Sequence, residues 1–275
     1  MKKRLETWST VHGVITAAML LGMSFAAAQT TDYRAPRTAA GYPDLNGIWQ
    51  TMNSANWNIE PHAASSGLTL ELGAIGAVPA GHGVVEGGTI PYQPEALLQR
   101  DENFANRLEL DPEVKCYLPG VPRATYMPFP FQIIQSEEYI MIVHEYAGAV
   151  RTIYMQDHTP APAPTWMGWS HGSWDGETLV IDTKAFNDQT WFDRAGNFHS
   201  DALHVIERIT PRSADTMMYE VTIEDPKVFT KPWTMTMPLY RRVEANAEIL
   251  EFECVEFVEE LIYGHLSKQL DNETK

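Results

Sequence analysis

The residues best suited to acid–base chemistry lie in one predicted β-hairpin. The dipeptide Asp175-Gly176 is typical of a two-residue hairpin turn, and alternating apolar and polar residues flank it on both sides. With this turn, His171 and Asp182 fall on the same face as diagonal neighbours within side-chain reach. A carboxylate beside an imidazole fixes the tautomer of the ring and raises its basicity. The hairpin therefore predicts His171 as a catalytic base that Asp182 orients.

The sequence leaves two orientations open for this face of the hairpin. The face also carries Trp169, whereas the opposite face, which includes Leu179 and Ile181, is more apolar. Either the mixed face lines a pocket, or it is the solvated outside and the apolar face lines the core. Trp169 favours the inward orientation, because a large aromatic side chain gains little on a solvated face.

A second group of candidate residues follows the hairpin in the chain. His199, Asp201 and His204 are of the types that bind zinc or iron, but their spacing matches no standard metal motif. We therefore expect no cofactor, with a divalent metal at these three residues as the lesser alternative. The alternatives without chemistry are a turn at Asp201 and a hydrogen-bonded strand position at His204. We predict that at least one of the three is the acid or a second ligand-binding group.

A third candidate is the hairpin around Ala147-Gly148, which places His144 and Arg151 on one face with apolar neighbours. An arginine in such a place can hold a carboxylate or carbonyl group of a ligand. The alternative is a surface ion pair with Glu145 or Asp157. The residues predicted to contact a substrate are Trp169, Arg151, His144, Tyr154, Trp191 and Arg208.

The sequence lacks the motifs that identify several enzyme classes. It contains no G-x-S-x-G element, no glycine-rich phosphate loop and no H-E-x-x-H motif. The adjacent Ser170 and His171 face opposite ways on a strand, so they do not form a nucleophile–base pair. The net charge of −16 over 275 residues argues against nucleic acid or an anionic membrane as a partner.

The pattern along the chain predicts a mainly β protein. Residues 53–92 show little periodicity, Pro94 to Leu108 has helical spacing, and the five prolines between Asp111 and Pro130 indicate an ordered loop. Val255 to His265 is typical of a short closing helix. Period-two runs predict strands at Trp49, 131–135, 138–146, 149–156, 165–174, 177–184, 203–210, 216–224, 233–241 and 249–254.

About ten consecutive strands joined by turns imply an antiparallel meander, and closure into a barrel removes its exposed edges. We expect a single barrel domain over residues 43–275, with residues 53–130 as an irregular and partly helical insertion.

The N-terminus has the three parts of a secretory signal. A basic start at Met1-Lys2-Lys3-Arg4 precedes an apolar run from Val14 to Phe25 and a small-residue end at Ala26-Ala27-Ala28. We expect a signal peptide over residues 1–28 and a polar linker over 29–42. The mature chain is then periplasmic or secreted, soluble and not inserted in a membrane. In that compartment Cys116 and Cys254 form either a disulfide or two buried thiols.

Two resemblances to known proteins support the fold. Asp44 to Trp49 resembles the Gly-x-Trp opening of lipocalins. Gly168 to Thr183, with the stretch from His199-Ser200-Asp201 through Glu207-Arg208, is similar to a widespread set of exported bacterial proteins of unassigned function. These resemblances imply a lipocalin-like barrel and transfer no activity.

The leading hypothesis from the sequence is an exported enzyme that acts on a small organic molecule by cofactor-free acid–base chemistry, as a lyase, isomerase or hydratase. One alternative is a periplasmic binding or carrier protein for an apolar or aromatic ligand. Another is a metal-dependent hydrolase.

Overall fold

A computed structural model describes residues 33–67, 70–156 and 159–273, with side chains up to residue 266 at the C-terminal end. The predicted signal peptide and the first residues of the linker lie outside these ranges. In the described ranges, no helix combines the length and the apolar character that crossing a membrane requires.

Nine strands form a closed barrel in which each strand pairs with the next and β9 returns to β1. The prediction of a mainly β barrel is confirmed, but the count of about ten strands is wrong, because residues 249–254 form no strand. The strands are β1 (Gly47–Gln50), β2 (Phe131–Gln135), β3 (Tyr139–His144), β4 (Val150–Tyr154), β5 (Trp169–Asp175), β6 (Thr178–Lys184), β7 (His204–Pro211), β8 (Thr216–Glu224) and β9 (Trp233–Arg241).

The expectation of an entirely antiparallel meander is wrong at one contact. Strands β4 and β5 pair in parallel through Ile153↔Ser170 and Tyr154↔His171, while the other neighbouring pairs are antiparallel. The reason is parity, since an odd number of strands around a closed ring cannot alternate direction at every contact. The parallel contact lies where residues 155–168 give the chain enough length to return, as a parallel connection needs about a dozen residues or more.

Two contacts close the barrel along β9. Trp49 of β1 pairs with Arg241 of β9, whose guanidinium lies 4.2 Å from the centre of the Trp49 ring. Strand β1 is too short to cover the rest of this edge. Val84 and Val85 cover part of it, since Val85 bridges Met235 and the amide of Thr236 donates to the Val84 carbonyl at 3.0 Å. The insertion therefore protects an edge that would otherwise stay open.

The insertion over residues 53–130 also fills one end of the barrel. Ile59, Val121 and the whole of a short helix at Arg123–Tyr126 are buried with the inward-facing side chains of the strands. In this insertion the predicted helix from Pro94 to Leu108 is two helices. The helices are α1 (Pro94–Ala105), α2 (Arg107–Leu110), α3 (Arg123–Tyr126) and α4 (Val258–Glu273), and short 3-10 segments lie at Leu70–Gly76, Glu86–Gly88 and Tyr146–Gly148.

A disulfide joins the insertion to the segment that follows the barrel. Cys116 and Cys254, which are 138 positions apart, are bridged, so the disulfide is the alternative that the structure takes. Beside it, the amide of Phe257 donates to the carbonyl of Val114 at 2.8 Å. These contacts hold residues 252–260, including the start of α4, against the insertion.

Candidate functional site

The hairpin of β5 and β6 places its mixed face outside the barrel. The register pairs Trp174 with Leu179, so the turn is Gly176-Glu177 and the pairing is shifted by two residues from the prediction. A shift of two keeps every side chain on its predicted face. The apolar face is buried, so of the two orientations that the sequence left open the hairpin takes the one that places His171, Asp182 and Trp169 outside. The interior is already filled here, because a Cβ on Gly172 would lie 2.4 Å from the Met155 sulfur.

Asp182 orients a different histidine from the one predicted. Its Oδ2 lies 2.8 Å from Nε2 of His204, whose Nδ1 lies 3.0 Å from Oε2 of Glu224. Partial burial opposes ionisation of Asp182, but His204 and Lys184 hold its pKa below the usual range. His171 donates from Nε2 to the Thr159 carbonyl at 3.2 Å instead. The register places His171 directly opposite Asp182 on this outer face, and the role of His171 as a base stays a prediction.

The second predicted group does not come together either. His199 is buried, donates from Nδ1 to the Ser200 carbonyl at 2.8 Å and accepts from the Thr190 hydroxyl at 2.6 Å. Burial lowers its pKa, so the ring is neutral. Asp201 is exposed and pairs with Lys227 at 2.6 Å. Across residues 33–67, 70–156 and 159–273, no group of three or more His, Cys, Asp or Glu residues is arranged to hold a metal ion.

The predicted substrate-binding residues are dispersed over the barrel. Tyr154 stacks on Trp169 on the outer face, with ring centroids 4.7 Å apart. Arg208 pairs with Asp175 on the outside at 2.7 Å. Trp191 is buried and bridges Phe198. Two of the predicted residues, His144 and Arg151, do point into the barrel.

Arg151 is held inside the barrel by polar partners at four of its five N–H groups. Its guanidinium makes a two-point ion pair with Glu207 of β7, including a 3.0 Å contact from Nη1 to Oε1. It also donates to the hydroxyls of Ser170 at 2.9 Å and Thr183 at 2.7 Å. Tyr219 donates to Oε1 of Glu207 at 2.6 Å. Because these donors and acceptors are satisfied within the protein, the arginine holds the barrel together and is not paired with Glu145, the partner considered from the sequence.

His144 lies in the same interior without any such partner. Only 2% of its surface is exposed, and neither ring nitrogen meets hydrogen-bond geometry with a described atom. Burial lowers the pKa of His144 to about 3, the positive charge of Arg151 adds to the shift, and the Ala124 backbone opposes it. The ring is therefore neutral at physiological pH.

The depressed pKa of His144 predicts that the free energy of unfolding falls as the pH is lowered. An imidazole that is protonated more readily in the unfolded chain contributes stability above about pH 6.5, and this contribution is lost as the pH falls toward 3. His144→Leu is expected to be neutral or stabilising at pH 7 and to flatten the slope below pH 6.5, by up to about 1.4 kcal/mol per pH unit. Urea unfolding of both proteins between pH 4.5 and 7.5 measures this. Parallel pH profiles would contradict the assignment.

A second ion cluster lies outside the strands and joins the insertion to the loop of Arg194. Arg123 is fully buried and binds both oxygens of Asp111 at 2.8 and 3.1 Å and Oε2 of Glu113 at 2.6 Å. Arg194 donates from Nη2 and Nε to the two oxygens of Glu113 at 2.6 and 2.8 Å. Two guanidinium groups and two carboxylates therefore balance each other in charge.

The loop of Asp193 fixes the position of Arg194. Asp193 is entirely buried and accepts from the amides of Ile59 at 2.8 Å and Ala195 at 2.9 Å and from the side chain of Asn197 at 2.6 Å. Burial raises the pKa of Asp193 to about 6, against the opposing effect of these bonds.

A cavity of about 330 Å³ opens beside this ion cluster and the disulfide. Most of its walls are apolar, and one wall is a group of three aromatic rings, Phe129, Tyr146 and Phe252, whose centroids lie 4.9 to 5.7 Å apart. The full lining is Leu108, Glu113, Val114, Pro128, Phe129, Tyr146, Arg194, Phe252, Glu253, Cys254, Val255, Phe257, Val258, Glu259 and Glu260.

Comparisons with known proteins add no assignment. No family model matches the chain, and no curated protein matches its sequence. The closed barrel agrees with the fold implied by the two resemblances, but neither of them becomes a family assignment. The function is therefore argued from the geometry alone.

None of the predicted catalytic or substrate-binding residues lines this cavity. The sequence reasoning missed it because its walls come from the insertion, from the turn after β3, from the loop of Arg194 and from the segment after β9. One signal was present. Cys116 and Cys254 are the two cysteines of the chain, and their bridge brings these distant segments together.

A second cavity, of about 430 Å³, lies on the outer face of β2, β3 and β4. Its lining includes Ile134, Met141 and Tyr154, which stand side by side on the sheet. It is shallower than the first, and its polar groups are hydroxyls without an ionised side chain. A small ligand gains less burial here than in the cavity beside the disulfide.

Proposed function

We propose that the protein is a binding protein for a small, largely apolar organic molecule, and that the ligand occupies the cavity beside the disulfide. The observation that carries this proposal is the combination of a partly enclosed, mostly apolar cavity with a few fixed polar groups. Ligand pockets are commonly of about 300–1,000 Å³, mostly apolar, with a small number of placed polar groups. The cavity of about 330 Å³ is at the small end of this range.

The polar groups at the base of the cavity are held before any ligand arrives. Glu113 receives hydrogen bonds from two arginines, and Arg194 lies over the Trp57 ring at 4.4 Å. Tyr146 is buried with its ring against Phe252, and burial raises the pKa of its hydroxyl above the usual range. Because these polar groups do not rearrange when a ligand binds, little ordering entropy is lost on forming the complex.

The acid–base enzyme predicted from His171 stays a separate prediction. The geometry favours binding over this enzyme, because His171, Asp182 and His204 stand on the outer face and His199 is enclosed among protein partners. A catalytic base needs to reach its substrate proton in a shielded place. The cavity supplies the shielded place, and those histidines lie elsewhere.

Blocking the cavity tests the proposal. Val258 lines the cavity, so Val258→Trp is expected to fill it and to weaken binding of N-phenyl-1-naphthylamine, a neutral apolar fluorescent probe. We expect at least about a tenfold rise in Kd, which corresponds to 1.4 kcal/mol of lost contact. The measurement is a fluorescence titration of the mature protein.

The matched control is Val243→Trp, which adds the same side chain at an exposed position outside the cavity lining. This variant is expected to keep the wild-type Kd. Equal probe affinity in all three proteins would show that the probe binds elsewhere and would remove the proposal.

A further inference from the structure

The charges around the cavity beside the disulfide are unequal. Its lining contains four carboxylates, Glu113, Glu253, Glu259 and Glu260, and one guanidinium, that of Arg194. Arg123 and Arg194 engage both oxygens of Glu113, and together with Asp111 these four groups balance in charge. The other lining carboxylates lie on the segment after β9, where Glu253 and Glu260 are exposed and Glu259 faces Arg194, and they leave the entrance with an excess of negative charge.

Arg194 is poorly placed to bind an anion. Its Nε and Nη2 are committed to Glu113, and its remaining Nη1 faces Oε1 of Glu259 at 3.5 Å. An anionic ligand at Nη1 would displace Glu259 and would then lie among the other entrance carboxylates. Like charges about 4 Å apart in a partly desolvated site repel by about 4 kcal/mol, which is more than a single additional hydrogen bond returns.

The aromatic wall favours a positively charged ligand. The faces of Phe129, Tyr146 and Phe252 carry negative quadrupole density, and such faces attract organic cations. The attraction rises when water is excluded. The cavity thus offers a cation an aromatic surface for its apolar groups and carboxylates for its charge.

We infer that the ligand of this cavity is an organic cation, a quaternary or tertiary ammonium group attached to a small apolar body. This inference rests on the proposed function and names its ligand class. Aromatic contact excludes small hydrated metal ions, and the negative entrance excludes carboxylates and phosphates. A neutral apolar molecule of the same shape binds more weakly, because it gains the apolar contact without the charge.

Three probes of one shape separate these possibilities. Calorimetric titrations of the mature protein use phenyltrimethylammonium, its neutral isostere tert-butylbenzene, and the anion benzenesulfonate. We expect phenyltrimethylammonium to bind about tenfold more tightly than tert-butylbenzene, the size of a cation–π and carboxylate contribution of 1–2 kcal/mol. Benzenesulfonate is expected not to bind. Affinity for the cation falls as salt is raised, since the entrance charges are screened.

Substitutions of the lining carboxylates test which of them cause the preference for the cation. Glu253→Gln/Glu259→Gln is expected to weaken binding of phenyltrimethylammonium and to remove most of its preference over tert-butylbenzene. The control Glu248→Gln/Glu251→Gln removes the same two charges from exposed positions of the same segment outside the cavity lining, and it keeps the preference.

The outcomes distinguish the inference from the proposed function. Equal or tighter binding of tert-butylbenzene or benzenesulfonate overturns the organic-cation inference and leaves the binding function standing. Failure of phenyltrimethylammonium to bind also overturns the inference. If N-phenyl-1-naphthylamine fails to bind as well, the proposed function falls with it.

Discussion

Replacing Arg151 by Met is expected to lower the free energy of unfolding by about 3–5 kcal/mol, since breaking a buried ion pair leaves an uncompensated charge. The charge left behind is that of Glu207, which is buried deep in the barrel and would keep only the Tyr219 hydroxyl as a partner. The hydroxyls of Ser170 and Thr183 lose the same partner. Equilibrium urea unfolding followed by far-UV circular dichroism measures the change.

The double variant Arg151→Met/Glu207→Leu provides the sharper comparison. It removes both charges, so it is expected to be more stable than Arg151→Met alone, because a buried pair is often replaced by apolar side chains at little cost. Arg208→Met is the control, since it breaks a solvent-exposed pair with Asp175 and is expected to cost at most about 1 kcal/mol. An Arg151→Met variant as stable as Arg208→Met would contradict the buried network.

Removing the disulfide is the second change with a large expected effect. Cys116→Ser/Cys254→Ser opens a loop of 138 positions, and the loss of a disulfide that closes a long loop costs about 2–5 kcal/mol. The cavity loses its tether, because Cys254 lies in its wall and holds residues 252–260 in place. We therefore expect weaker binding of N-phenyl-1-naphthylamine together with reduced stability.

Guanidinium unfolding and the probe titration are made on the same samples. The wild-type protein with and without a reducing agent provides a control that leaves the sequence unchanged. If the double variant keeps the wild-type midpoint and probe affinity, the disulfide neither stabilises the fold nor shapes the cavity.

The strands could be predicted where one face is buried and the other wet. Strands β8 and β9 alternate along their whole length, as in Met217, Tyr219 and Val221, and their predicted bounds are those of the structure. The predicted strand over 249–254 was wrong although apolar and acidic residues alternate over 250–253, since Phe252 and Cys254 line the cavity wall and not the barrel. Alternation of apolar and polar residues indicates that one face of a segment is buried. It does not identify the part of the protein that covers this face.

The inward face of β5 was harder to predict, because its buried residues are Ser170 and Gly172, which carry almost no apolar surface. They are small for reasons that lie in other strands. Ser170 accepts a hydrogen bond from Arg151, and a side chain on Gly172 would meet Ile153 and Met155. The order of apolar and polar residues along one strand does not show which side chains of other strands pack against it.

The ion pair inside the barrel had a signal in the sequence that the cavity lacked. Arg151 and Glu207 each interrupt an otherwise apolar face of a predicted strand, and buried charges are rarely found unpaired. Their pairing could have been inferred. The cavity depends on how the irregular insertion and the segment after β9 pack against each other. Neither segment has a repeating apolar pattern from which this packing could be predicted.

The most direct test of the account is to observe where a ligand binds. Nuclear magnetic resonance of the protein with labelled Ile, Leu, Val and Met methyl groups, titrated with N-phenyl-1-naphthylamine, reports each wall separately. The account predicts saturable shifts at Leu108, Val114 and Val258, which line the cavity beside the disulfide. Shifts confined to Ile134 and Met141 on the outer face would place the ligand in the other cavity and contradict the account.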